Sequence, residues 1–166
     1  MPYPDAHRLS GAFLANRLDR LADLIVAQGE ALLGEAGLNI PSRTVSLLLL
    51  VGDHGELSAA DAATLLGHPH QLVTQRTELL IGLSLIARKN DPSDRRRKIL
   101  TLSAKGKAQY ARLQIRLAEA AAVFTALFDE IACDLSAMAA KAQAALERRP
   151  LLERIMQNAP RKRVPA

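Results

Sequence analysis

One short hairpin signal interrupts a sequence that otherwise favours helices. Residues 85–89 and 98–102 are β-competent, and the segment between them contains N-D-P-S-D-R-R-R, which has the Asn, Asp, Pro and Ser residues of a hairpin loop. Ala and Leu dominate the remaining chain, and only two Tyr and three Phe occur, a composition that favours helices packed on aliphatic side chains. The sequence therefore predicts a mainly α protein with one two-stranded β hairpin.

Positive charge is concentrated around this hairpin. Residues 58–107 contain nine Lys and Arg against four Asp and Glu, a net charge of +5, which equals the formal charge of the whole chain. A local excess of this kind is typical of a phosphate-binding surface. Charge alone is equally compatible with an anionic membrane or an acidic partner.

The segment before the hairpin predicts two short helices. Ser58 is a good N-cap, and Asp61 at the third helical position replaces the Glu of a capping box. This helix is expected to end at Gly67, and a second helix is expected at 69–83. Two short helices joined by a tight turn that contains Gly form a helix-turn-helix candidate.

The second of these helices separates apolar and polar residues onto two faces. Val73, Thr77 and Leu80 repeat at helical spacing and are expected to face the core. The other face carries amides, hydroxyls and charge: His70, Gln71, Thr74, Gln75 and Glu78.

Longer helices are expected on both sides of this unit. We predict a helix at 5–33 capped by Asp5, a buried helix at 41–52, and helices from residue 104 to a break near 129–131 and at 132–148, followed by a turn at 151–156. The two short helices and the hairpin form a small winged unit. The first and last helices carry broad apolar stripes that this winged unit cannot cover. A second subunit that packs against these stripes would form a homodimer.

The hairpin region resembles the MarR family of winged helix-turn-helix regulators. The resemblance is based on three motifs: G-H-P-H-Q-L-V-T-Q-R at 67–76, D-P-S-D-R-R at 91–96 and L-S-A-K-G at 102–106. It extends over 41–110. One departure is Ser84, which stands where the family usually has Gly and predicts a less permissive turn. Pro69, His70, Arg76 and Thr77 also depart from common family residues.

The resemblance implies a winged helix-turn-helix with long N- and C-terminal dimerisation helices. We divide the chain into an N-terminal dimerisation helix at 1–37, a DNA-binding domain at 38–104, C-terminal dimerisation helices at 105–157 and a basic tail at 158–166, which we expect to be mobile. The resemblance also implies a homodimer that binds pseudo-palindromic operator DNA. Such proteins are commonly repressors that a small-molecule effector or an oxidant relieves. The family's usual ligand position is a cleft near the dimer helices, but for Phe13 and Phe128 a place in the core is the stronger reading.

The resemblance and the two faces of the second helix together predict the DNA contacts. Arg96 is the best candidate to enter the minor groove, because a guanidinium suits the strong negative potential there. Arg95 and Arg97 are expected on phosphates or in ion pairs, and Asp94 is expected to brace the loop. The helix contributes His70, Gln71, Thr74, Gln75 and Arg76, with amides for adenine and Arg76 for a phosphate. For each of Gln71, Thr74 and Gln75, an ordinary solvent-facing helix surface is an equally good reading.

Other classes of function find little support in the sequence. We identify no nucleophile with a base, no carboxylate pair and no phosphate loop, so an enzyme is not expected, and no cofactor is indicated. The spacing of His7, His54, His68 and His70 does not form a metal pattern. The single cysteine, Cys133, suits a reducing compartment and is expected to be structural rather than an oxidation sensor.

The sequence also bears on where the protein acts and on how specifically it binds. The longest apolar run, 47–51, is too short for a bilayer span and the N-terminus lacks the pattern of a signal peptide, so we expect a cytoplasmic protein with no membrane partner. The alternative to a sequence-specific regulator is a winged-helix architectural or protein-interaction module with little base specificity.

Overall fold

A computed structural model describes residues 2–92 and 97–158, and the side chain of Asn158 is outside this description. Helices dominate, with one small sheet. In chain order the elements are α1 (Tyr3–Ala6), a 3-10 turn (Ser10–Phe13), α2 (Leu14–Glu35), a 3-10 turn (Ser42–Thr44), α3 (Val45–His54), β1 (Leu57–Ser58), α4 (Ala59–Leu66), α5 (His70–Gly82), β2 (Ile86–Asn90), β3 (Lys98–Leu102), α6 (Ala104–Glu130), α7 (Leu135–Arg148) and α8 (Leu151–Asn158). The mainly α winged-helix prediction is confirmed.

The core of the winged unit is aliphatic. Leu47, Leu48 and Val51 of α3 are fully buried, as the nearly continuous apolar run of this helix predicted. They belong to one cluster that also contains Val73 and Leu80 of α5. This core leaves the opposite surface of α5 free to carry polar residues.

The sheet consists of three antiparallel strands in the order β1-β3-β2. The predicted hairpin is β2 and β3, in which Ile86 pairs with Leu102 and Asn90 with Lys98. The short β1 adds a third strand through Leu57, which pairs with Leu100. Since β3 is the central strand, the wing is attached to the segment that immediately precedes α4.

The prediction of one unbroken helix over 5–33 is wrong at its start. His7 adopts an extended conformation, and its ring Nδ1 accepts a hydrogen bond from the Leu9 backbone N–H at 3.1 Å. This side-chain bond replaces the helical partner of that donor, so the chain breaks between α1 and the first 3-10 turn. Asp5 is not an N-cap: its carboxylate accepts hydrogen bonds from Arg17 at 3.1 Å and Arg20 at 2.7 Å.

The chain divides into two compact units, 1–117 and 118–166, and the division falls within α6. In the second unit, Asp134 caps α7 by accepting a hydrogen bond from the Ala137 N–H at 2.8 Å. The Arg154 guanidinium of α8 donates to the carbonyl oxygens of Ala145 and Arg149, at 2.7 and 2.8 Å. These bonds satisfy carbonyl groups at the C-terminal end of α7.

Candidate nucleic-acid interface

The start of α4 is fixed by a reciprocal capping box, as the sequence predicted. The Ser58 hydroxyl accepts a hydrogen bond from the Asp61 N–H at 3.1 Å, and the Asp61 carboxylate accepts from the Ser58 N–H at 3.0 Å. Gly67 ends the helix at φ +61°, a left-handed conformation that glycine adopts without strain. The turn between the two helices of the motif is thereby defined at both ends.

The faces of α5 are arranged as the periodicity indicated. Val73, Thr77 and Leu80 have no exposed surface. On the polar side, His70, Gln71 and Gln75 are exposed, whereas Thr74 and Arg76 are half-buried. The structure therefore brings the five predicted helix residues onto one short element, within two helical turns of its start.

Three of these side chains differ in whether their polar groups already have a hydrogen-bond partner. The Thr74 hydroxyl donates to the backbone carbonyl of His70 at 3.0 Å, so its proton is already used within the helix. Gln71 and Gln75 make no hydrogen bond among the residues that the structure describes. Their amides are available to an external partner that offers both a donor and an acceptor.

The hairpin is attached to the helix-turn-helix by an ion pair near its loop, where β2 ends and β3 begins. Arg97 lies 2.5 Å from the Asp61 carboxylate and 3.8 Å from that of Asp91. The ion-pair alternative for Arg97 is thus observed. Asp61 accordingly serves two elements, because the same carboxylate that caps α4 also binds the wing.

The pKa of Asp61 reflects this arrangement. Hydrogen bonds from the Ser58 side chain and backbone lower it most, and the hydrogen bond from Arg97 lowers it further. All three stabilise the ionised carboxylate. The cap and the wing contact therefore both depend on Asp61 being charged.

Cations of β2 are also paired with acids of neighbouring elements. Arg88 forms an ion pair with Glu78 of α5, and Lys89 forms one with Glu56 in the turn before β1. These pairs partly neutralise the positive charge of β2. The predicted minor-groove residue Arg96, together with Arg95 and Asp94, lies outside the described residues.

The C-terminal end of α5 is held by the start of α6. The Ser103 hydroxyl donates to the Ser84 carbonyl at 2.6 Å, and Lys105 Nζ donates to the Leu83 carbonyl at 2.9 Å. A Cβ on Gly106 would lie 1.8 Å from the carbonyl oxygen of Leu85, so only glycine fits there. Ser84 itself adopts φ +59°, a left-handed conformation that favours glycine.

Sequence reasoning did not identify Ser103 and Lys105 as part of this site. Ser103 had a detectable signal, because it precedes the helical run from Ala104 and serine is a preferred N-cap. Nothing in the sequence pairs it with Ser84, nineteen residues earlier. The contact depends on the path of the wing between them.

No group of three or more His, Cys, Asp or Glu residues in the described part of the chain is arranged to hold a metal ion. Among the helices of residues 2–92 and 97–158, none has the length and apolar character needed to cross a membrane.

Comparison with known protein families gives a match to the winged segment. The MarR family model matches residues 37–97, so the predicted resemblance is confirmed, although this match ends before Gly106. A sequence comparison with curated proteins gave no match.

Solved structures share the fold at low sequence identity. The adhesin competence repressor AdcR from Streptococcus pyogenes has a TM-score of 0.55 and 18% identity, over 84% of this chain and 98% of that one. The transcriptional repressor CouR, bound to a 23-mer DNA duplex, has a TM-score of 0.55 and 23% identity, over 74% and 94%. A mutant MarR from E. coli complexed with operator DNA has a TM-score of 0.55 and 16% identity, over 81% and 94%. At these identities the likeness shows the fold.

Proposed function

We propose that this chain, which has the fold of the MarR-family transcription regulators, binds operator DNA as a homodimer and represses a nearby operon until a small ligand releases it. One observation carries the proposal. The helix α5 buries Val73, Thr77 and Leu80 completely while it exposes Gln71 and Gln75, and a basic hairpin follows it. A helix held by one face, with amides on the other, suits the major groove.

The proposed readout divides the residues by role. Gln71 and Gln75 each pair with an adenine edge, for which a carboxamide has the matching donor and acceptor. His70 and Thr74 contact neighbouring base edges. Arg76 and Arg95 bind phosphates, which set the position of the protein without reading sequence.

In the wing, Arg96 enters the minor groove. Arg97 remains in its ion pairs with Asp61 and Asp91 and keeps the hairpin in place.

Exposed apolar residues support the proposed homodimer. In the first unit, α2 exposes more than half of Leu14, Leu18 and Leu24. In the second unit, α8 exposes its leucines Leu151 and Leu152 by 64% and 68%. Apolar surface of this extent is stabilised when a second copy covers it, and a two-fold axis would place two α5 helices about 34 Å apart, one turn of DNA.

Repression and ligand release rest on the resemblance to the family. Two of the similar structures are described as repressors, and CouR and the E. coli MarR were solved with DNA. We propose the cytoplasm as the place of action, where the operator is accessible.

The test is to select bound fragments from the parent genome with the purified protein. Sequence-specific binding predicts recovery of one or a few promoter fragments that share a pseudo-palindromic site. Arg96→Ala should weaken binding to every duplex and flatten its salt dependence, whereas Gln75→Ala should mainly reduce discrimination between the operator and random DNA. Equal affinity of the wild type for operator and unrelated duplexes would favour the architectural module instead.

A further inference from the structure

Arg76 carries a positive charge that the described residues leave unpaired. It lies on α5 directly after Gln75, it is half-buried, and its guanidinium makes no hydrogen bond or ion pair within 2–92 and 97–158. An arginine remains protonated under all ordinary conditions. A partly desolvated cation without a counterion is unfavourable unless an anion binds to it from outside.

A second arginine lies close to the first. Arg43 belongs to the 3-10 turn Ser42–Thr44, which contacts both α2 and α5. Burial lowers the pKa of Arg76, and the positive charge of Arg43 lowers it further. The fold therefore packs the turn that carries Arg43 against α5, where its positive charge acts on Arg76.

Arg43 forms an ion pair with Asp23 that leaves some of its N–H donors for another anion. Its Nη2 lies 2.5 Å from the Asp23 carboxylate of α2, and both side chains are more than half exposed. An exposed ion pair of this kind stabilises a protein little. Since a guanidinium has five N–H donors in a planar fork, Arg43 can bind a second anion while it remains beside Asp23.

We infer that Arg43 and Arg76 together bind the sugar-phosphate backbone of DNA along the edge of the groove that α5 enters. The inference rests on the proposed function and adds Arg43 to its contacts. Phosphodiester groups are the anions that a duplex presents at this position, and their negative charge offsets the repulsion between the two guanidinium groups. Asp23 acts as a positioning residue, because it orients Arg43 from α2.

The test compares Arg43→Gln with the wild type on the selected operator and on an unrelated duplex, from about 50 to about 200 mM salt. The matched control is Arg20→Gln, which removes another arginine of the same unit that is paired with an aspartate, Asp5. We expect Arg43→Gln to lower affinity for both duplexes by about tenfold. We also expect its slope of log affinity against log salt to become shallower by about 0.9 per subunit. The control should retain the wild-type slope.

The outcomes separate this inference from the proposed function. A wild-type slope in Arg43→Gln overturns the Arg43 contact, whether or not the wild type prefers its operator. Equal wild-type affinity for both duplexes overturns sequence-specific regulation, while a shallower slope in Arg43→Gln still supports the contact. If Arg43→Gln unfolds at a lower temperature than the wild type, Arg43→Lys is used for the test instead. This variant keeps the positive charge and should keep the wild-type slope of log affinity against log salt. A shallower slope in Arg43→Lys would overturn the inference.

Discussion

The hydroxyl of Ser103 donates a hydrogen bond to the backbone carbonyl of Ser84 at 2.6 Å. The Ser103 hydroxyl oxygen also accepts a hydrogen bond from the Gly106 N–H at 2.9 Å. One side chain therefore closes the segment after α5 and caps the first turn of α6. The end of α5 and the beginning of the long helix are held together at this point.

Replacement of Ser103 by alanine should destabilise the winged unit. The variant loses the cap of α6 and leaves the Ser84 carbonyl without this donor, which together should cost about 1–2 kcal/mol. Urea unfolding measures the change. Ser136→Ala, on the exposed surface of α7, is the control and should change stability by less than about 0.5 kcal/mol. Equal stability of the two variants would show that the Ser103 bonds contribute nothing.

Ser84→Gly should stabilise the protein relative to Ser84→Ala. Residue 84 has φ +59°, a conformation that costs a residue with a Cβ about 1–2 kcal/mol and glycine almost nothing. Thermal unfolding of the two variants isolates the backbone term, since neither carries the serine hydroxyl. A glycine variant that is less stable than the alanine variant would contradict the strain assigned to this turn.

Thr77→Val should raise stability by about 1 kcal/mol. Thr77 has no exposed surface, and its Oγ1 has no hydrogen-bond partner among the residues that the structure describes. Valine has nearly the same shape, so the change removes an unsatisfied polar atom without creating a cavity. Chemical denaturation provides the measurement, with Thr64→Val on the exposed side of α4 as the control. A destabilised Thr77→Val protein would mean that the hydroxyl has a partner.

The lowered pKa of Asp61 predicts how this residue's contribution to stability changes in acid. The folded pKa of this carboxyl lies below its ordinary value of 3.8, so its contribution is complete above that value and is lost as the pH falls through the lower, folded pKa. Asp61→Asn should therefore be less stable than the wild type near neutral pH, and the difference should shrink in strong acid. Unfolding measured across this range tests the sign. A difference that stays constant with pH would exclude the charged carboxylate as its cause.

The local features of the winged unit were predictable from the sequence. The capping box needs residues only three positions apart, Ser58 and Asp61, and the buried face of α5 follows from one helical period. The hairpin was predictable for the same reason, because its two strands flank a single loop.

Contacts between distant residues were not predictable in this way. The Ser103 to Ser84 bond, the Arg97 to Asp61 ion pair and the approach of Arg43 to Arg76 join elements whose spacing depends on the complete fold. The break near His7 was missed because a side-chain hydrogen bond competes there with a helix that the apolar pattern favours.

The central claim is that two copies of α5 read two half-sites on one face of the DNA. The most direct measurement is the affinity of the protein for its selected operator after about five base pairs, half a helical turn, are inserted between the half-sites. We expect the affinity to fall to the level of unrelated DNA, because the second α5 then faces the opposite side of the duplex. An unchanged affinity would contradict the binding of two half-sites by one dimer, since each copy would then bind without regard to the other.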